Sequence, residues 1–305
     1  MKEPVISVVI ATKERINNVL KCVRSILNQI FPPHEIIIID SSKNTDLNSA
    51  LKTNFPKEEA KIKYIHFDAC LTAARNKGVQ SSSGDLIFFF DDDVILEKNY
   101  IKEVVKVFMN DKDGKIGGVM GQITNVCRED QKNWRGVLSL NLRRLFYLTR
   151  HGDGKMLPSG LPTYVHGEKK TMKVECLSGC MMAYRRNVFD TFMFDEQLGK
   201  LSGYCYMEDV DFSYRVSRRY VLMYTPFAKL EHNPPEESTT NSMSRKKQFV
   251  FNHFYLFKKN MPKHLSNVFA FCLSTFGLLL LTLLRRTPKE TVGVLQGIID
   301  ATLKL

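Results

Sequence analysis

The 305-residue chain lacks the cysteine pairing that would staple a secreted fold. Its seven cysteines are scattered and odd in number; Cys176 and Cys180 are the closest, and no two form a CxxC. No histidine stands at finger-like spacing, so structural zinc is not expected, nor is a disulfide framework in a chain this long. Reduced thiols in a cytosolic compartment are the expectation. A secretory leader is also missing from the opening residues. The apolar run from Val5 to Ala11 is short, follows Glu3-Pro4 and stops at Lys13-Glu14-Arg15. Internal repeats and low-complexity tracts are absent, and 44% hydrophobic with 25% charged residues excludes disorder as the default. Acidic residues are outnumbered, 32 against 44 basic, for a net charge of +12. Such a balance suits anionic lipid, phosphorylated substrates or simply a solvated basic surface. No nucleic-acid recognition motif accompanies it, and no nucleic-acid partner is expected.

What is present reads first as alternating strands and helices. Ile6 to Ala11 is a β-branched run too short for a helix and fit for a buried strand. Ile16, Leu20, Val23, Ile26, Leu27 and Ile30 then fall at helical spacing until Pro32-Pro33. Glu35 to Asp40, Ile62 to Phe67, Leu86 to Phe90 and Ile116 to Ile123 are further strands. Thr72 to Ser83 and Glu97 to Met109 are the helices between them. The implied fold class is α/β, a mostly parallel central sheet flanked by helices, with ligands at the carboxyl ends of its strands. From Asn125 to Met172 the pattern loosens into an insertion or linker; Val174 to Tyr184 reads as a strand and Glu208 to Tyr220 as a helix. Residues 1–124 form a nucleotide-binding half, 125–245 a catalytic half, and 246–305 a basic and hydrophobic helical region. Leu265 to Leu284 carries no charge and, as a helix, reaches roughly 30 Å, enough for a spanning or deeply inserted segment. A buried packing helix is the alternative, since Ser266, Asn267, Ser274 and Thr275 dilute the run.

Asp91-Asp92-Asp93 follows the apolar strand directly. In an extended chain Asp91 and Asp93 share a side, and adjacent carboxylates relieve their repulsion on a divalent cation. Hard oxygen ligands suit magnesium or manganese, which also bind phosphates. Asp40 ends a neighbouring strand and either accepts hydrogen bonds from a ligand or makes an Asx turn or a helix N-cap. Thr12, Arg15 and Arg75 are ambiguous alone. Glu208-Asp209 opens a helix, whose dipole would keep a base ionised. Asp209 and Asp211 lie about 200° apart on an ideal helix, so at most one faces a given cleft. His232 precedes a Pro-Pro turn and is a candidate metal ligand.

In combination these pieces resemble glycosyltransferase family 2, enzymes with the GT-A nucleotide-sugar fold, over residues 5–235. Ser7 to Arg15 is similar to the family's strand ending in Pro-Thr-x-Asn-Arg, with Ala11 for the proline and Glu14 for the asparagine. Glu35 to Asp40 resembles the strand that delivers a uridine-binding aspartate, although Ser41-Ser42 replaces Asp-Gly. Arg75-Asn76-Lys77-Gly78 resembles the Arg-Asn-x-Gly helix, and Asp91-Asp92-Asp93 the metal-binding DxD. Leu177 to Met182 with Arg185-Arg186 looks like the acceptor-side strand, and Met207 to Phe212 like the Glu-Asp motif.

The resemblance implies an inverting transferase using a UDP-, dTDP- or GDP-type sugar donor and Mn2+ or Mg2+. It assigns Asp93, Asp91 and His232 to the metal, and Thr12, Arg15, Asp40, Arg75 and Asp91 to the donor. Gly179 and Glu208 fall on the acceptor side, and Asp209 is the base. Lys258, Lys259, Lys263, Arg285 and Arg286 around the apolar run suit anionic headgroups. A membrane-associated enzyme with a cytoplasmic catalytic domain and a lipid-linked or envelope glycan acceptor is therefore expected. A sugar-phosphate nucleotidyltransferase would need a glycine-rich loop that Ile10 to Arg15 does not supply. A non-catalytic nucleotide-sugar binder would have no use for Asp91, Asp93 and Asp209 together.

Overall fold

A computed structural model describes residues 3–43, 46–125, 134–150, 152–165, 167–202, 205–234 and 242–305. Pro235, the second residue of the Pro-Pro turn, and Cys127 lie outside the described residues. Two compact units result, both discontinuous. Unit 1 is Met1–Val126, His166–Glu196 and Glu208–Pro235; unit 2 is Cys127–Val165, Gln197–Met207 and Glu236–Leu305. Residues 127–165 and 197–207, grouped by sequence with the catalytic half, belong instead with the C-terminal helices.

Unit 1 is built on a sheet of nine strands among the described residues. These are β1 (Ile6–Thr12), β2 (Glu35–Asp40), β3 (Ile62–His66), β4 (Leu86–Asp91), β5 (Val94–Leu96), β6 (Ile116–Ile123), β7 (Met172–Val174), β8 (Met181–Arg185) and β9 (Val221–His232). The order is β3-β2-β1-β4-β8-β6-β9-β5, with β7 also on β9. The expected parallel character holds for β3-β2-β1-β4 and for β6-β9, whereas β8, β5 and β7 pair antiparallel. The sheet is therefore mixed.

The strands are buried for the reason their composition suggests. Ile36 to Ile39 and Val8 to Ile10 are almost wholly enclosed, since helices cover both faces of a parallel sheet. α1 (Ile16–Leu27), α2 (Asp46–Asn54), α3 (Leu71–Ser81), α4 (Tyr100–Met109) and, past the α5 and α6 of unit 2, α7 (Glu208–Ser217) supply that cover. Gly78 of α3 lies so close to Val9 that no Cβ fits between them, and helix and strand touch there. Phe89, Phe194, Phe212 and Tyr184 form an aromatic cluster under α7, with Phe194 stacked on Phe212 at 4.2 Å.

The run Val174 to Tyr184 is not one strand. β7 ends at Val174 and β8 begins at Met181, with Leu177-Ser178-Gly179-Cys180 as a loop between them. β9 and α2 carry no assignment from sequence. Pro226 sits in β9 where pairing with β6 is irregular, between Tyr224 and Lys229, which is where a strand tolerates proline.

Unit 2 is helical: α5 (Trp134–Leu145), α6 (Gln197–Ser202), α8 (Ser242–Asn260), α9 (Leu265–Leu284) and α10 (Pro288–Lys304). The segment read as a linker thus contains α5. α9 coincides with the uncharged run and is long and apolar enough to cross a bilayer, with mean hydropathy 2.1.

Candidate active site

Register brings the first candidates together. Thr12 of β1 pairs with Asp40 of β2, and Ala11 pairs with Asp91 of β4, so all three strands end on one edge. His232, at the end of β9, pairs with Val94 of β5, and Asn233 N–H donates to the Asp93 carbonyl at 2.8 Å. This strand pairing, not helical or local spacing, carries a histidine 139 positions away (232 − 93) to the acidic turn.

Asp91, Asp93 and His232 form the cluster: one ligand atom from each lies within 4.8 Å of the others. His232 Nε2 is 3.2 Å from Asp93 Oδ1. That oxygen is buried and accepts no well-directed hydrogen bond among the described residues. Two carboxylates, one imidazole and a buried oxygen still short of a partner fit a divalent cation. Burial acts to raise the Asp93 carboxyl, but His232 and Arg15 outweigh it and hold it below the usual range. The adjacent Asp93 carboxylate raises His232 in turn, against the effect of burial.

Asp92 was given no role by sequence, yet it organises the turn. Its Oδ2 accepts from the Thr12 hydroxyl at 2.6 Å, and its Oδ1 from Arg15 Nη1 at 3.0 Å. Arg15 Nη1 also lies 3.3 Å from Asp93 Oδ2. Thr12 is thus committed to Asp92 and buried, a framework position where a donor contact was expected. Arg15 remains 42% exposed at its side chain.

Asp40 was also expected to contact the donor, but it is fully enclosed. One oxygen accepts from Ser42 N–H at 2.9 Å and from the Ser42 hydroxyl, the other from Tyr64 at 3.0 Å. The Asx turn, an alternative open at the sequence level, is the arrangement found. Burial and the hydrogen bond to Asp40 raise the Tyr64 phenol to about 12.

A second network surrounds Arg75. Expected at a diphosphate, this guanidinium is 3% exposed and turned inward. Nη1 donates to Glu208 Oε1 at 2.6 Å, and Nη2 to Asp91 Oδ1 and the Gly179 carbonyl, each at 3.1 Å. Burial acts to lower its pKa, but Glu208 and Asp91 more than offset that, so it stays charged. Arg75 therefore ties Asp91 of the acidic cluster to the start of α7.

Asp209, half-buried, accepts from Gly179 N–H and from its neighbour Val210 N–H, both at 2.8 Å. Asp211 is fully buried and bound to Arg215 at 2.7 Å, so of the two only Asp209 is available to a cleft. Burial pushes Asp209 upward despite the Gly179 hydrogen bond and Arg75, and burial with the Asp209 charge pushes Glu208 up as well. A raised carboxylate is a stronger base, the property a hydroxyl-deprotonating group needs.

A family model for glycosyl transferase family 2 matches residues 7–193, more than half of the chain. The chain belongs to glycosyl transferase family 2. Among relatives of this family 2 chain is an uncharacterized glycosyltransferase of Rickettsia bellii, 27% identical over 170 residues, or 48% of this chain and 24% of that protein. A Campylobacter jejuni protein described as a GalNAc(5)-diNAcBac-PP-undecaprenol beta-1,3-glucosyltransferase is 32% identical over 93 residues, 30% of each chain. The match covers about a quarter of the Rickettsia protein's own length and about a third of the Campylobacter protein's. The fold is shared with mannosyltransferase PcManGT from Pyrobaculum calidifontis, solved with GDP-Man and Mn2+. Its TM-score is 0.59 at 15% identity, covering 100% of this chain and 87% of that one.

Proposed function

We propose that this family 2 chain transfers a glycosyl group, with inversion, from a nucleotide diphosphate sugar to a hydroxyl of a lipid-linked or envelope glycan acceptor. The observation that carries the reading is the single buried bridge through Arg75. It joins Asp91, one of the metal-type ligands, to the helix start that holds Asp209. A donor-diphosphate site and a base are thereby fixed to one another by short contacts.

Asp91, Asp93 and His232 would hold Mn2+ or Mg2+, which when bound offsets the charge of the departing diphosphate as a Lewis acid. Arg15, partly exposed at the same turn, offers a further cation to the donor phosphates. Thr12 and Asp92 keep Arg15 in place, and Asp40 shapes the β2 turn on the same edge. Asp209 takes the proton from the acceptor hydroxyl as that oxygen attacks the anomeric carbon from the face opposite the leaving group. The Gly179 N–H orients the carboxylate, and Glu208 neutralises Arg75 from the acceptor side. The nucleotide-sugar complex of the Pyrobaculum enzyme supports the donor class, and the Campylobacter name supports a lipid-linked acceptor. The basic, apolar C-terminal helices support work at a membrane surface from the cytoplasmic side.

A thermal-shift screen of nucleoside diphosphates and nucleotide sugars, with and without Mn2+, tests the donor site through mass action. A rise in Tm that needs both one nucleotide and the metal is expected. No shift from a folded, metal-supplemented sample contradicts the proposal.

A further inference from the structure

Within unit 2, α8, α9 and α10 run side by side. α10 follows the direction of α8: Gly293 meets the Met243 backbone, Gly297 meets Lys247 O and Val250, and Lys258 reaches the Leu305 carbonyl. Lys247 pairs with Asp300 at 2.9 Å and Lys246 with Glu290 at 3.7 Å. α9 returns in the opposite sense. Its Phe271 stacks on Phe257 of α8 at 4.1 Å and touches Phe254 and His253 at 4.7 and 4.9 Å. Further along, Gly277 lies flush against Phe146, and Arg285 donates to Ser139 of α5 at 3.1 Å.

Side-chain size is distributed the opposite way from a soluble amphipathic helix. At 100° per residue, Leu265, Phe269, Cys272, Phe276 and Leu283 of α9 fall within roughly 40° of one line. All five are exposed, Leu265 at 88%. Ala270, Ser274 and Gly277, roughly opposite, are buried. α10 repeats the scheme: Val292, Leu295, Ile299 and Leu303 point outward, while Gly293, Gly297 and Ala301 are buried. Small residues let the helices close on their own protein, and the large apolar side chains are left for another apolar phase. Exposed Lys258, Lys259, Lys263, Arg285, Arg286 and Lys289 stand at the two ends of α9.

A crossing of the bilayer by α9 conflicts with these contacts. α9 touches His253, Phe254 and Phe257 of α8 near its start, Phe146 at Gly277 and Ser139 of α5 just past its end, and it packs on α10, so these neighbours would accompany it. The Lys247–Asp300 and Lys246–Glu290 pairs would enter hydrocarbon. So would the irregular backbone packed on α8, where His253 Nε2 donates to Ser159 O at 2.7 Å and Gly160 lies against Phe257.

We propose that unit 2 is a one-sided membrane anchor: α9 and α10 lie in the plane of an anionic leaflet, with their outward apolar stripes in the acyl region and the flanking lysines and arginines at the headgroups. This rests on the membrane-surface reading above and specifies its mode. The stripe supplies the apolar area and the basic ends supply the attraction that interfacial helices require.

Sealed vesicles of phosphatidylcholine with and without phosphatidylglycerol, mixed with the full chain, test it. Two variants, His264→Cys before α9 and Lys289→Cys after it, each in a background with Cys70, Cys127 and Cys272 replaced by serine so that the remaining native cysteines are the buried ones, are labelled with a membrane-impermeant maleimide. The expected result is capture by the phosphatidylglycerol vesicles, with both cysteines labelled from outside. Leu265→Asp with Phe269→Asp should lower capture by more than about tenfold at unchanged Tm, since both side chains are exposed. Capture with only one cysteine accessible would mean a spanning helix and overturn the in-plane mode alone. No capture by any vesicle would overturn membrane association itself. Equal capture by neutral vesicles would overturn the anionic requirement.

Discussion

Arg75 is the residue on which two halves of the site depend. Its guanidinium is buried between Glu208 and Asp91, and removing one partner of such a pair leaves the other charge uncompensated. Arg75→Met should cost about 3–5 kcal/mol in urea denaturation, with Arg75→Lys recovering only part because it lacks the planar fork. Gly179 gives a finer probe. A Cβ there would lie 3.1 Å from Arg75 Nη2 and 3.2 Å from both Asp209 Cβ and Glu208 Oε1. Gly179→Ala should displace the base slightly and lower kcat by about ten- to a hundredfold, with little change in Tm. At the other cluster, a metal needs the neutral His232 ring. Because Asp93 raises the His232 pKa, Mn2+ affinity measured by calorimetry should fall as pH drops through that raised value. The His232–Asp93 pair has its own pH signature. The raised histidine contributes stability below about pH 6.5 that fades as pH rises through its folded pKa, and the lowered aspartate contributes above about pH 4 and fades on acidification. Asp93→Asn should therefore lose most stability, relative to wild type, between those limits.

At the scale of elements, the turn after β1 carries a cost that the sequence already displayed. Glu14 sits at φ 57°, in the left-handed region where asparagine and glycine are favoured. The family pattern has asparagine at this position. Glu14→Gly should stabilise the chain by up to about 1 kcal/mol, read as a higher denaturation midpoint, provided the Glu14 N–H keeps its bond to Ser42 Oγ. The first half of the sheet was legible because each strand is a short apolar run bounded by turns. Glu35–Asp40 and Ile116–Ile123 emerged with the ends expected for them. β9 was not legible: Lys229, Glu231 and Pro226 break its apolar run, and its pairing with β5 and β6 is set by tertiary contacts. The single strand expected from Val174 to Tyr184 failed for a related reason. Its middle is a loop because Gly179 has to present its N–H to Asp209 and its carbonyl to Arg75.

For the whole molecule, the residue types of the site were readable from sequence, but their partners were not. Asp91, Asp93 and His232 converge, whereas Thr12, Asp40 and Arg75 are taken up by Asp92, by Ser42 with Tyr64, and by Glu208 with Asp91. Motif spacing locates side chains on strand ends; it does not reveal which polar groups satisfy one another once water is excluded. The same limit hid α10, whose outward apolar residues look like scattered hydrophobics until small residues on the opposite face show which side is packed. The central claim is that Asp209 removes the proton from the acceptor, while the donor is held by other side chains, Asp91, Asp93, His232 and Arg15. Its most direct test pairs glycosyl transfer with donor binding for wild type and Asp209→Asn, using the nucleotide sugar found by thermal shift and Mn2+ present. The account predicts transfer reduced to background in the variant, with the donor Kd changed by less than about threefold. Transfer at near wild-type rate, or loss of donor binding together with activity, would contradict it.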